Sequence, residues 1–97
     1  MRSDTFSILK VTVNGIKPIK SEEYNSNNAW GFGGFRGTKF TYESGAEVFL
    51  GWACTRHRGA FAFHTVTDKT GCRRIDRSGL VFNTDDPVII GIITNGL

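Results

Sequence analysis

The 97-residue chain has little of what usually stiffens or crosslinks a small protein: two prolines, two cysteines and a single methionine. Two cysteines allow at most one bridge, so a disulfide-dense secreted scaffold is excluded. No apolar run approaches the roughly 20 residues a membrane-spanning helix needs, and no membrane insertion is expected. Asn25, Asn27, Asn28, Asn83 and Asn95 all lack a Ser or Thr two positions on, so N-glycosylation is not expected. The opening MRSDTFSILK carries a broken apolar run with no small-residue cleavage site behind it. The expected location is cytoplasmic, or release without a visible signal peptide. Gly-x-Ser-x-Gly, His-Glu-x-x-His and phosphate-loop signatures are missing too, so the chain reads as non-enzymatic with no cofactor.

What is there belongs to an ordinary globular domain: 39% apolar, 12% aromatic and 22% charged residues. That apolar share excludes intrinsic disorder. Neither a repeat nor a Pro-rich or Ser-rich linker divides residues 1–97, which form a single domain. So short a chain buries only about 60 to 65% of its unfolded surface and needs a dense core or a partner subunit. Eight Phe, two Trp and two Tyr supply the density.

Period-two patterns dominate. Phe6 to Val13 is β-branched and apolar, and Asn14-Gly15 behind it is a strong hairpin signal because both residues tolerate positive φ. Ile16 to Lys20 is the expected return strand, held to a sheet edge by Pro18, which has no amide hydrogen. Lys39 to Tyr42, Glu47 to Cys54 and Ala60 to Val66 follow, punctuated by Gly45, Gly59 and Gly71. Leu80 to Phe82 and Val88 to Thr94 complete the set, with Asn83 to Pro87 as the turn between them. Ser21-Glu22-Glu23 is the one helix hint and is too short for three turns. The fold expected is all-β: a small antiparallel sandwich or barrel of seven to eight short strands. Uncharged Val88 to Ile93 is the expected buried or intersubunit strand of a homodimer.

Two segments carry candidate binding chemistry. Tyr24 to Gly37, YNSNNAWGFGGFRG, combines four glycines, three asparagines, four aromatics and an arginine. Asn amides both donate and accept hydrogen bonds, and aromatic faces suit the C–H face of a sugar. The same aromatics would equally serve to anchor the loop. Trp52 to Gly59, WACTRHRG, sets Trp52 beside Arg56 and His57 at a hairpin end, a polar tip or a second binding surface. The candidate carbohydrate-binding residues are therefore Asn27, Asn28, Trp30, Trp52, Arg56 and His57. Six of the twelve Lys and Arg lie between Arg56 and Arg77. They point to acidic ligands or to a solvated strand face.

Cys54 and Cys72 either close a loop of about 18 residues, worth roughly 3 kcal/mol in the chain-entropy account, or are two free, buried thiols. With His57 and His64 they make a set without the paired short spacings of zinc sites, and no metal is expected. For catalysis the one surviving arrangement is acid–base cleavage of RNA by His64 with Glu43 or Glu47.

Gly79 to Gly96, GLVFNTDDPVIIGIITNG, resembles the last two strands of the small microbial guanyl-specific ribonucleases. That resemblance implies an inactive relative: Asn95 stands where the family has its general-acid His, and an amide does not titrate. TFSILKVTV, YNSNNAWGFGG, GTKF and IIGIITNG resemble, in general character, the small lectins of fungal fruiting bodies. This second resemblance implies a soluble, β-rich, dimeric protein that binds glycans. The leading expectation is a non-enzymatic lectin; the alternative is a nucleic-acid-binding or inactive ribonuclease-like effector using Arg56, Arg58, Arg73, Arg74 and Arg77.

Overall fold

Alternation in the two central apolar runs becomes two long paired strands, and the rest of the sheet is built outward from them. A computed structural model describes residues 8–27, 34–55 and 59–97. Its strands are β1 (Lys20–Asn27), β2 (Gly34–Thr41), β3 (Glu47–Thr55), β4 (Gly59–Thr67) and β5 (Arg73–Ser78). Each pairs antiparallel with its neighbour in the chain, giving one sheet in the order β1-β2-β3-β4-β5. Ile8–Val11 forms a 3-10 turn before the sheet, and helix α1 (Pro87–Asn95) follows it.

The β-rich expectation holds, while the strand count does not: among the described residues there are five strands in one sheet, not seven or eight. Asn14 and Gly15 do make the tight turn, with φ of 53° and 79°. Val13 and Ile16 exchange both backbone bonds across it, at 3.0 and 2.8 Å. The hairpin stops at that single bridge. Beyond it Pro18 has no amide to donate, and the Ile19 amide turns to Thr41 O at 2.8 Å instead. Leu80 to Phe82 is irregular chain whose Phe82 ring enters the core.

The largest departure is Val88 to Ile93, which is helical rather than a strand. The Asp86 carboxylate accepts the Val88 amide at 2.9 Å, Pro87 opens the first turn, and Gly96 at φ 82° closes the last. These caps outweigh the strand preference of β-branched residues because helical spacing also turns Ile89, Ile92 and Ile93 onto one face. All three are essentially buried, each contributing about 1.5 to 3 kcal/mol over exposure. They meet Phe40, Val48, Leu50, Val66 and Ile75 from one face of the sheet, with Tyr42, Ala46, Val11 and Val13 beside them. Polar straps fix the arrangement. Ser44 Oγ donates to Ile93 O at 2.7 Å, the Lys69 amide donates to Gly96 O at 2.7 Å, and the buried Tyr42 hydroxyl donates to Val11 O.

An intrachain disulfide does not fit. Cys54 pairs with Gly34 and Ala60 at one end of the sheet, and Cys72 lies in the β4–β5 turn at the other. The strand from Ala60 to Thr67 alone spans about 23 Å at about 3.3 Å per residue, far beyond the reach of a bridge. Cys72 is free and exposed, correcting the expectation of a buried thiol.

Candidate functional site

Strand alternation gives the sheet two unlike faces. Even-numbered residues of β2, β3 and β4 point toward α1, whereas the odd-numbered ones, with even-numbered residues of β1, make a second face that α1 does not cover. On this open face aromatic rings form a continuous file. Tyr24 meets Phe49 edge-on at 5.8 Å, Phe49 meets Phe63 at 5.4 Å, and Phe63 meets Phe35 and Phe61 at 5.8 and 6.1 Å. Phe63 is nearly buried, yet Tyr24, Phe35 and Phe61 remain 41%, 45% and 40% exposed. Clustering of this kind, in contrast to scattered single hydrophobes, makes the face the candidate interaction surface.

Two glycines make room for the file. Gly37 and Gly51 sit opposite each other, in one row with Tyr24 and Phe63. A Cβ on Gly51 would stand 2.7 Å from Phe49 Cζ, so the Phe49 ring occupies the space a side chain would need.

The edge of the face is polar and internally paired. Lys20 meets Glu22 at 3.4 Å, Lys39 meets Glu47 at 3.9 Å, and Arg73 meets Asp76 at 3.5 Å. Lys39 also lies 5.9 Å from the Tyr24 ring centre, a distance suited to cation–π attraction. Thr65 and Thr67 add hydroxyl groups on β4. Exposed pairs contribute little stability, about 0 to 1 kcal/mol each, but they leave cation and carboxylate matched in number along the face.

The same matching runs through the basic stretch. Besides Arg73, Arg74 pairs with Asp68 at 3.5 Å and Arg77 with Asp86 at 3.3 Å. Asp68 is nearly buried, and the Thr70 hydroxyl, the Cys72 and Thr70 amides and Arg74 together hold its carboxyl below the ordinary range against the opposing effect of burial. The clustering of arginines along the chain thus becomes, for these three, a set of ion pairs.

Of the residues singled out in the sequence, Asn28, Trp30, Arg56 and His57 lie outside the described residues. Asn27 ends β1 opposite Gly34. Trp52 is half-buried on β3, in register with Arg36 and Ala62, on the side opposite the aromatic file. His64 is buried beneath the helix side, with Nδ1 donating to Gly79 O at 2.9 Å and the ring edge-on to Phe82. Glu47 belongs to the open face, so the sheet separates this His–Glu couple. Among the described residues no cluster of three metal-ligating side chains occurs, and no helix is long and apolar enough to cross a membrane.

Phe35, Phe49, Phe61 and Phe63 of the file are not among the sequence candidates, although alternation along Ala60 to Val66 places Phe61 and Phe63 on one side of a strand. Only strand pairing brings them to Tyr24 and Phe35. Comparison with known proteins finds no matching family, no matching curated protein and no matching solved structure. The functional reading accordingly rests on the chemistry of the open face.

Proposed function

We propose that the protein is a non-enzymatic carbohydrate-binding protein whose platform is the open face of the sheet. The observation that carries the reading is an exposed aromatic file edged by cations that already have carboxylate partners. Aromatic faces accept the C–H face of a pyranose. Carboxylates accept from sugar hydroxyls, Lys and Arg donate to them, and Thr hydroxyls do both. Nucleic-acid binding draws instead on cations that neutralise phosphates and release counterions, and the described arginines of the basic stretch are matched by Asp68, Asp76 and Asp86. Pairing two subunits as a homodimer would multiply shallow sites and raise avidity; light scattering of the purified chain tests that assembly by its mass.

The deciding experiment is a glycan array at low and high salt, run with the wild type and with Tyr24→Ala and Phe35→Ala. Retention of a neutral glycan at high salt, weakened about tenfold in the variants, is the expected result. A blank array overturns the reading. So does binding confined to sulfated or phosphorylated entries that disappears with salt, which would point to nucleic acid.

A further inference from the structure

The open face holds two adjoining depressions. One, of about 210 Å³, is walled by Tyr24, Phe49 and the polar groups of Lys39, Glu47 and Thr65. The other, of about 310 Å³, is walled by Phe61, Asp76, Arg77 and Ser78. Phe35, Phe63 and Arg73 belong to both. Phe63 is the hub, touching Phe49 toward the first depression and Phe61 toward the second, with Phe35 alongside. The file runs from β1 to β4, three inter-strand spacings or about 14 Å. That is longer than one sugar ring, and each depression brings its own carboxylate acceptor, with Arg73 as a cationic donor common to both.

We infer that the ligand is a neutral oligosaccharide of two or more equatorially linked pyranoses that straddles the Phe63–Phe35 ridge and seats one ring in each depression. The inference rests on the carbohydrate reading and adds chain length and linkage to it. Equatorial bonds keep successive rings in an extended ribbon with their faces available, which suits a file of aromatics across a sheet. Axial bonds coil the chain away from such a surface. The Glu47 and Lys39 groups serve one ring, and Asp76 and Ser78 serve the next, with Arg73 between them.

Calorimetric titration with two ladders tests this: glucose, cellobiose and cellotriose, and N-acetylglucosamine, chitobiose and chitotriose. The proteins are the wild type, Tyr24→Ala, which alters the first depression alone, and Phe61→Ala, which alters the second alone; thermal melting checks that each variant is folded. Affinity in at least one ladder is expected to rise about tenfold or more from one ring to three. Each variant should weaken the trisaccharide about tenfold and shrink the gain from added rings. Equal affinity for one ring and three overturns the inference, as does a Phe61→Ala protein that binds the trisaccharide like the wild type. Silent ladders beside a positive glycan array overturn the length and linkage while leaving the carbohydrate reading intact; a blank array removes both.

Discussion

Gly37 stands directly opposite Gly51 in the β2–β3 ladder, and neither has room for a Cβ. The added carbon at Gly37 would lie 2.6 Å from Gly51 Cα and press on Leu50 O. Both obstacles are backbone, so relief requires the two strands to part. Gly37→Ala and Gly51→Ala should each cost about 1 to 3 kcal/mol, read as a lower urea midpoint. Gly51→Ala should also displace the Phe49 ring and so weaken the proposed glycan binding in whatever fraction remains folded.

Tyr42 joins the sheet to the segment ahead of it through its bond to Val11 O. Its hydroxyl is buried, and burial pushes its ionisation well above the ordinary tyrosine range. The unfolded chain ionises near pH 10 while the folded one does not. Stability is therefore full below that pH and falls as pH rises above it. Tyr42→Phe should cost about 1 to 2 kcal/mol at neutral pH by leaving Val11 O unpaired, and should remove this residue's share of the alkaline loss. Denaturant titrations from pH 7 to 11 on both proteins measure it.

Asp68 works in the opposite direction. Its carboxyl is held below the ordinary range by Thr70 and its neighbours, so the stability it lends is present above the unfolded value of about 3.9 and disappears as pH falls through the folded one. Asp68→Asn should flatten the acid limb of a stability profile between pH 5 and 2 and lower the plateau at pH 7. An unchanged acid limb would contradict the role given to this turn.

Asp86 has two tasks: it caps α1 through the Val88 amide and pairs with Arg77 on β5. Asp86→Ala should cost about 1 to 2 kcal/mol, most of it from the cap. Asp86→Ser, which keeps a cap but not the charge, should recover the larger share; thermal melts of the three proteins separate the contributions.

The sequence revealed the middle of the fold better than its margins. Glu47 to Cys54 and Ala60 to Val66 are rich in apolar and aromatic residues because they pack in the centre of the sheet, and both are strands within a residue or so of their expected bounds. β1 and β5, KSEEYNSN and RRIDRS, are outer strands with much polar surface and carry almost no apolar alternation. Their pairing comes from neighbours distant from any local pattern. VIIGIIT favours a strand by composition, yet Asp86-Pro87 ahead of it and Gly96 behind it already formed a helix signature, which the run of β-branched residues obscured. The aromatic file depends on register across four strands. Its members were visible one by one, and their convergence was not.

The core wall supplied by Ile89, Ile92 and Ile93 comes from α1, which follows in the chain after β5 of the sheet it covers. During synthesis each hairpin of the meander can close as its second strand emerges, since every pairing joins neighbours in the chain. Until α1 arrives, Phe40, Val48, Leu50, Val66 and Ile75 lack that cover. A sheet that forms before α1 docks is apolar on one side and aromatic-rich on the other, and its apolar side stays prone to association until the helix covers it.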